Sequence, residues 1–344
     1  MTTIEKPTLP VYQMAAFHLH CGDLVAFPTE TVYGLGADAF NEEAIRKIFS
    51  AKGRPDDNPL IVHIEKLSQL DRLIEGPVSE NALILAKAFW PGPLTMIFQK
   101  SGCVPDAVTA GLRTVAVRIP GHMVAQGLLN VFGRPIAAPS ANLSGRPSPT
   151  TAGHVLDDLD GWLPMIIDGG ACEVGLESTV IDMTCTPPRV LRPGGVTVEM
   201  IEAAIGPVEV DPSALRESAD EDGPARSPGT KHAHYAPKGH MELVVGEPAA
   251  VREKIAALYD AAVAEGRKAA ILMSGRDKTR YGDRRAFALG DGAEDAARRM
   301  FAVLREMDDS GVEEIFTEPF ECSGIGLAVM NRLLRASGFC VVEV

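Results

Sequence analysis

The residues best suited to chemistry lie between Leu24 and His63. A short apolar run predicts a buried strand, which ends at Pro28 because proline has no N–H to give to a ladder. The hydroxyl residues and glycines that follow, through Gly34 and Gly36, predict a flexible turn. Further along, Lys52 and Arg54 flank a glycine on a Gly/Pro-stiffened loop. A second apolar run then ends in His63. Two cations, several hydroxyls and an imidazole so close in sequence predict a site that binds an anion.

Two other interpretations of this stretch are possible. A lone Lys-x-Arg pair is often solvated surface, and a histidine at a strand end is often structural. GLGADA also resembles a truncated dinucleotide fingerprint, with Asp56 and Asp57 about twenty residues further on. That fingerprint needs its glycines directly between strand and helix, whereas here Pro-Thr-Glu-Thr-Val-Tyr intervenes. The sequence therefore disfavours a nicotinamide site and leaves the surface interpretation open.

The elements that must position these residues alternate along the first part of the chain. Helical spacing follows the N-cap residues Asn41 and Ser79, and it recurs over 122–132 and 196–206. Apolar runs predict strands at 24–27, 94–100, 113–120, 135–138, 165–170, 178–183 and 189–194. This mixture predicts an α/β domain over residues 1–206, with a twisted, mostly mixed sheet flanked by helices.

The rest of the chain divides into a linker and a smaller domain. Residues 207–238 are rich in proline and contain an acidic cluster, so they cannot bury much surface. From 239 to 344, strand and helix patterns alternate, which predicts a C-terminal Rossmann-like domain with a parallel sheet. SGIGLA in this domain could form a phosphate loop, but a closely packed helix start is favoured.

Composition restricts the class of protein. The net charge of −13 argues against a protein that holds nucleic acid by neutralising phosphates. No apolar run reaches the length of a membrane span, and the first twenty residues lack a signal-peptide pattern. Six scattered cysteines without a Cys-x-x-Cys motif argue against a zinc motif and a disulfide framework, and they fit a reducing cytoplasm.

A series of short motifs occurs in a fixed order along the chain. They are FPTETVYGLGADA, KGRPDDNPLIVH, FWPGPLT, VAVRIPGH, APSANLSGRPSPT, DGG, ESTVID and LRPGG. Each motif alone is weak, but the ordered set resembles the YrdC-like family in its two-domain form, the threonylcarbamoyl-AMP synthases. The resemblance runs from about Val11 to about Ile205 and resumes at SPGTKHAHYAP in the linker.

The resemblance implies a reaction and its partners. It implies synthesis of L-threonylcarbamoyladenylate from L-threonine, bicarbonate and ATP, with release of pyrophosphate, by a cytoplasmic nucleotidyltransferase. The product would supply the tRNA threonylcarbamoyl-transfer machinery that modifies the adenosine next to the anticodon. Direct contact with tRNA is left open. No tightly bound cofactor and no protein metal site are expected, because Mg²⁺ would arrive with ATP, which supplies most of its ligands.

Matching positions carry expected roles. Arg118 suits the carboxylate of the amino acid, because a guanidinium engages both oxygens in a fork. The expected catalytic residues are Lys52 and Arg54. The expected L-threonine contacts are Thr31, His63, Arg118, Ser140 and Ser178. The expected ATP contacts are Arg54, Asn58, Thr114, Asn142, Thr150, Arg192 and Tyr235. The linker, with Tyr235 touching ATP, is hypothesised to fold over the nucleotide as a lid.

Two further hypotheses compete with this function. The carbamoyl-adenylate-forming module of hydrogenase maturation shares the YrdC-like domain, but its acylphosphatase domain and zinc-finger cysteine pairs have no counterpart here. A non-catalytic RNA-binding or translation-associated module belongs to a different class, and the acidic balance of the chain argues against it.

Overall fold

The computed structural model describes residues 1–216 and 234–344. These residues form two compact units. The first comprises residues 1–144 and 148–214, and the second contains 145–147 and 234–344. The predicted linker therefore starts too early, because Glu209–Val210 forms a strand that pairs in the sheet of the first unit. The central part of the hypothesised lid, residues 217–233, lies outside the described residues.

The first unit contains seven described helices and eleven strands. The helices are α1 (Leu9–His20), α2 (Glu42–Lys52), α3 (Glu80–Phe89), α4 (Asp106–Thr109), α5 (Met123–Phe132), α6 (Ala152–Leu159) and α7 (Val198–Ile205). The strands are β1 (Thr3–Glu5), β2 (Val25–Pro28), β3 (Tyr33–Asp38), β4 (Ile61–His63), β5 (Leu94–Gln99), β6 (Thr114–Arg118), β7 (Ile136–Ala137), β8 (Met165–Ile167), β9 (Thr179–Asp182), β10 (Arg189–Arg192) and β11 (Glu209–Val210).

The eleven strands form one mixed sheet, as the sequence predicts. Their order is β1-β8-β2-β3-β7-β4-β6-β5-β9-β10-β11, and parallel and antiparallel pairs alternate irregularly across it. Strand β2 shows that both faces are covered. Ala26 belongs to one apolar cluster, whereas its neighbours Val25 and Phe27 belong to another. Because successive side chains point to opposite faces of a strand, helices pack on both sides of this sheet.

The segment Tyr33–Asp38 is a strand, which contradicts the prediction of a flexible hydroxyl-rich turn through Gly34 and Gly36. A Cβ on Gly36 would lie 2.8 Å from both Ile136 and Phe27 side-chain atoms. The glycine is therefore required for close packing within the sheet. Since it lies inside a strand and not between strand and helix, the dinucleotide-fingerprint interpretation is excluded.

Helix α2 begins as predicted. The side chain of Asn41 accepts the N–H of Ala44 at 3.1 Å, which is an ordinary N-cap bond. The helix continues to Lys52, and Gly53 ends it in the left-handed conformation at φ 57°. The residues Arg54 to Asn58 then lead into β4, so the helix and the strand fix both ends of this loop.

The second unit is a parallel α/β domain. Its helices are α8 (Pro248–Ala264), α9 (Ala293–Asp309) and α10 (Ile325–Ala336). Its strands are β12 (His240–Val245), β13 (Ala269–Met273), β14 (Ala286–Ala288), β15 (Glu314–Thr317) and β16 (Val341–Glu343). The strand order is β14-β13-β15-β12-β16, and every pair is parallel, which confirms the predicted architecture. A Cβ on Gly326 would lie 2.3 Å from the carbonyl oxygen of Glu321, so close packing requires the SGIGLA glycine.

Among the described residues, no helix is both long enough and apolar enough to cross a membrane.

Candidate active site

Two predicted site residues end neighbouring strands. His63 is the last residue of β4, and Arg118 is the last residue of β6. These strands are parallel, and the two residues are direct cross-strand partners. Both side chains are almost fully buried, at 4% and 3% exposure. The sheet therefore brings an imidazole and a guanidinium together at the carboxyl ends of two adjacent inner strands, away from bulk water.

The guanidinium of Arg118 is fixed by three contacts. Its Nε donates to the carbonyl of Gly92 at 3.1 Å, and its Nη1 donates to the Thr31 hydroxyl at 2.9 Å. Its Nη2 forms an ion pair with Oε1 of Glu30 at 2.7 Å. These contacts hold the planar fork in one orientation, as recognition of a carboxylate requires.

Glu30 belongs to this candidate site, although no role for it was predicted from the sequence. Its second carboxylate oxygen accepts the N–H of Gly121 at 2.9 Å. Burial alone would raise its pKa, but the Arg118 guanidinium and the Gly121 N–H together lower that pKa below its usual value. The signal was available, because an acidic residue between two threonines directly after a buried strand needs a partner when it is buried.

His63 is held in its neutral form. Burial, followed by the neighbouring positive charge of Arg118, lowers the pKa of this histidine to about 3. Its Nδ1 is buried and has no hydrogen-bond partner among the described residues. The ring meets Phe27 edge-on, with the centroids 6.1 Å apart. A neutral imidazole with an unused buried nitrogen is suited to bind a polar ligand atom.

Lys52 lies in a place that the sequence did not predict. It is the last residue of α2 and only 2% exposed, so its prediction on an open loop is wrong. Its ammonium donates to the carbonyl of Ser140 at 2.5 Å and to the carbonyl of Asn142. The Ser140 hydroxyl in turn donates to Oδ1 of Asn142 at 2.5 Å. The structure therefore groups two predicted site residues, Ser140 and Asn142, around the buried cation of Lys52.

Arg54 and Asn58 lie on the loop between α2 and β4. The Nη2 of Arg54 donates to the backbone carbonyls of Asn58 and Pro59 at 3.3 and 3.2 Å. The Asn58 side chain is fully buried, and neither its Oδ1 nor its Nδ2 has a partner among the described residues. Since buried amides are normally hydrogen-bonded, Asn58 marks a position where a ligand can supply the missing bonds.

Ser178 and Arg192 form a third group. The Arg192 Nε and Nη2 donate to the carbonyl of Ser178 at 3.2 and 3.1 Å. The Ser178 hydroxyl lies 2.8 Å from the hydroxyl of Thr95 on β5. All three side chains are buried. The arginine thus lies in the interior, and not on the surface where its residue type alone would place it.

Three further predicted residues have contacts of their own. Thr114 begins β6, so it is about 13 Å along the strand from Arg118 at the usual rise per residue. The Thr150 hydroxyl lies 3.4 Å from Nδ1 of His154. Tyr235 belongs to the second unit, where its ring packs against Phe301 with centroids 5.1 Å apart. The ATP-binding roles of these residues stay predictions.

Together these residues provide buried cations and hydrogen-bonding groups with no preformed metal cage. Within the described part of the first unit, no three His, Cys, Asp or Glu side chains lie close enough to hold a metal ion. Fixed donors in a dry environment stabilise negative charge more strongly than the same groups in water. The arrangement can bind a carboxylate and stabilise charge that develops on a reacting phosphate.

Comparisons with known proteins agree on one family. Residues 18–194 match the family model described as Telomere recombination, and residues 196–338 match the model described as Threonylcarbamoyl-AMP synthase, C-terminal domain. The chain is 49% identical to a threonylcarbamoyl-AMP synthase of Pyrococcus abyssi, across 96% of this chain and 95% of the relative. It is 46% identical to that of Bacillus subtilis, across 97% and 95%.

The fold of this chain also resembles that of solved structures from the same family. The crystal structure of Pyrococcus abyssi Sua5 complexed with L-threonine superposes with a TM-score of 0.93 at 48% identity, covering 100% of this chain and 99% of the other. These relatives are named as synthases, so the comparisons do not favour a non-catalytic RNA-binding module.

Proposed function

The chain belongs to the threonylcarbamoyl-AMP synthase family, and from this premise we propose that its first unit joins L-threonine, bicarbonate and ATP into L-threonylcarbamoyladenylate. The reaction is a nucleotidyl transfer. A carbamate forms on the threonine nitrogen, one of its oxygens attacks the α-phosphorus, and the bond to pyrophosphate breaks. The product passes to the machinery that modifies tRNA next to the anticodon. The six free cysteines support a reducing, cytoplasmic setting.

The Arg118 group binds threonine in this proposal. Arg118 engages the carboxylate, because its guanidinium is already oriented by Glu30 and Gly92. Thr31 and the unpartnered Nδ1 of His63 are placed to contact polar atoms of the amino acid. Ser140 and Ser178 supply further hydroxyls. The relative from Pyrococcus abyssi that was solved with L-threonine supports this choice of substrate.

Lys52 and Arg54 provide positive charge for the phosphates of ATP. Phosphoryl chemistry depends on position and charge stabilisation and requires little covalent work by the protein. Lys52 is suited to this role because two backbone carbonyls fix its ammonium in a buried position. Asn58, Thr114, Asn142, Thr150, Arg192 and Tyr235 are proposed nucleotide contacts. The buried, unpartnered amide of Asn58 gives the strongest support among them.

Mg²⁺ is proposed to arrive with ATP. The described residues of the first unit offer no cluster of three close metal-binding side chains, and Mg²⁺ commonly keeps water and takes phosphate oxygens as ligands. When bound, the ion would neutralise charge on the phosphates. The protein's own contribution is the fixed positive charge of Lys52 and Arg54.

The observation that carries this proposal is the buried group of Arg118, Glu30, Thr31 and His63, in which a fixed guanidinium lies beside an imidazole nitrogen without a partner. ATP–pyrophosphate exchange tests it. Exchange should require both threonine and bicarbonate. Unchanged exchange when threonine is omitted would contradict the proposed reaction.

A pair of lysines on one helix tests the proposed catalytic role. Lys52→Met should lower exchange roughly a hundredfold, because one fixed charge on a transition state contributes a few kcal/mol. Lys47→Met on the same helix is the matched control, since the Lys47 side chain is 52% exposed. Melting temperatures would separate a loss of catalysis from a loss of folding. Equal activity in the two variants would remove Lys52 from the catalytic site, and Arg54→Ala tests the second cation in the same assay.

A further inference from the structure

A group of nitrogen, oxygen and sulfur donors lies on the second unit, outside the residues discussed so far. His240 and Glu242 occupy alternate positions at the start of β12, so their side chains share one face of the strand. Cys340 directly precedes β16, and its carbonyl accepts the N–H of Leu243 at 3.0 Å. The three side chains each offer one ligand atom, and these atoms lie within 4.8 Å of one another.

The neighbours of this group hold the histidine in place. Glu314 on β15 is the direct cross-strand partner of His240, and its Oε2 lies 3.2 Å from the His240 Nδ1. The same nitrogen lies 3.8 Å from Oε1 of Glu242. Arg267 pairs with the other oxygen of Glu314 and so keeps that carboxylate at the sheet. An imidazole between two carboxylates, with a thiol beside them, forms an unusual surface cluster.

We propose that His240, Glu242 and Cys340 bind Zn²⁺. The set of imidazole, carboxylate and thiolate matches the ligands that this borderline ion takes. Zinc bonds of about 2.0–2.3 Å in a tetrahedron place the ligand atoms about 3.3–3.6 Å apart. The three donors, within 4.8 Å of one another, therefore need to close by at most about 1.2–1.5 Å, and the His240 side chain, at 55% exposure, has room to move. Three protein ligands leave the fourth position to water, while Glu314 positions the imidazole.

Such an ion would join two parts of the sheet. β16 is a three-residue strand at the edge of the sheet, and it pairs only with β12. His240 and Glu242 belong to β12, whereas Cys340 leads into β16. Burial, and then the Glu242 carboxylate, raise the pKa of the Cys340 thiol in the metal-free protein. A dication in the same place reverses this effect by favouring the thiolate. The site would thus pin a short edge strand near the end of the chain.

Cobalt(II) is the direct probe, because it replaces zinc and reports its ligands by absorption. The full-length protein, stripped with a chelator and kept reduced, would be titrated with Co²⁺. One equivalent should bind and produce a thiolate-to-cobalt charge-transfer band with the intense visible bands of a four-coordinate ion. One equivalent of Zn²⁺ should abolish both. The readout does not depend on enzymatic activity, so failure of the proposed reaction would not affect it.

Variants identify the ligands. Cys340→Ser should remove the charge-transfer band, and His240→Ala should weaken Co²⁺ binding roughly tenfold or more. Glu314→Gln should weaken it less. Cys322→Ser is the matched control, because Cys322 is an exposed cysteine of the same unit outside the cluster. Melting curves without metal would confirm that each variant folds. The proposal is overturned if no saturable binding occurs, or if Cys340→Ser and Cys322→Ser give the same spectrum as the unmodified chain.

Discussion

Glu30 in the first unit and Glu318 in the second are both buried carboxylates, and each meets one arginine. Glu318 accepts hydrogen bonds at both oxygens. Its Oε1 takes the Tyr281 hydroxyl at 2.6 Å, and its Oε2 takes the backbone N–H and hydroxyl of Ser274 as well as Arg280 at 2.7 Å. Glu30 forms an ion pair with Arg118 and accepts the N–H of Gly121. His63 is the cross-strand partner of Arg118, and its Nδ1 has no hydrogen-bond partner among the described residues.

The difference distinguishes a structural network from a candidate binding site. A buried polar group without a partner costs free energy, so a closed network such as that of Glu318 stabilises the fold by its own contacts. Beside Arg118, Nδ1 of His63 has no partner among the described residues, and a ligand that supplies this bond would gain from it. The same residue types therefore serve two purposes, and the pairing of their atoms, more than their burial, distinguishes them.

Removing Arg118 should produce the largest effect. Arg118→Met should lower threonine-dependent exchange roughly a thousandfold, because truncating one partner of a buried charged contact costs several kcal/mol. It should also lower the free energy of unfolding by about 3–5 kcal/mol, since Glu30 then remains buried without its counter-charge. Exchange kinetics and urea unfolding measure the two effects.

A second substitution separates activity from folding in that variant. Adding Glu30→Gln to Arg118→Met removes the uncompensated charge, so most of the lost stability should return while exchange stays low. If the double variant regained activity together with stability, Arg118 would have only a structural role. The distinction between the two units would then fail.

Glu318→Gln tests the other side of the comparison. The closed network should lose about 2 kcal/mol of unfolding free energy, because hydrogen bonds to a charged acceptor are replaced by neutral ones. The KM values for threonine and ATP should stay within about twofold, since both oxygens of Glu318 already have partners within the described part of the second unit. A large rise in either KM with unchanged stability would contradict this assignment.

Much of the fold followed from sequence pattern. The caps at Asn41 and Ser79 and the strand end at His63 depend on residues near one another in the chain, and the structure confirms them. The parallel sheet of the second unit is also confirmed. Its strands pair over long distances in sequence, but the alternation of strands and helices along the chain is itself a sequence pattern.

The errors share a different physical origin. Tyr33–Asp38 was missed as a strand because its glycines are required by packing: Gly36 lies against Ile136 and Gly34 against Ala138, each about a hundred residues away along the chain. Lys52 was placed on an open loop because lysine is rarely buried, and the carbonyls that receive it come from Ser140 and Asn142. Glu30 was overlooked because its partner is Arg118. Each case depends on a contact distant in sequence.

The buried histidine of the first unit should make stability depend on pH. His63 has a pKa of about 3 in the fold and an ordinary value near 6.5 when unfolded. Between these values the unfolded chain binds the extra proton, so the unfolding free energy falls as the pH falls, by up to about 1.4 kcal/mol per unit. As the pH is lowered from 6.5, the unfolding free energy of the His63→Gln variant should therefore fall less than that of the unmodified chain.

Urea unfolding at several pH values measures this difference. His20→Gln is the control, because it removes a histidine that is exposed on α1. Its pH profile should follow that of the unmodified chain. Parallel profiles for all three proteins would mean that His63 is not held neutral by its surroundings.

The smallest effect should come from two buried asparagines, one in each unit. Asn58 has no partner for either end of its amide, whereas Oδ1 of Asn331 accepts a hydrogen bond from Arg332 at 2.7 Å. Leucine has the same branching and the same number of side-chain heavy atoms as asparagine, and it has no polar atoms. Asn58→Leu should therefore raise the unfolding free energy of the ligand-free protein by about 1 kcal/mol, because it removes an unsatisfied group. Asn331→Leu should lower it by a similar amount.

In the same Asn58 variant the KM for ATP should rise roughly tenfold, because the variant lacks the amide that is proposed to bind the nucleotide. If Asn58→Leu destabilised the protein as much as Asn331→Leu does and left the ATP KM unchanged, the unpaired amide would not mark a ligand site.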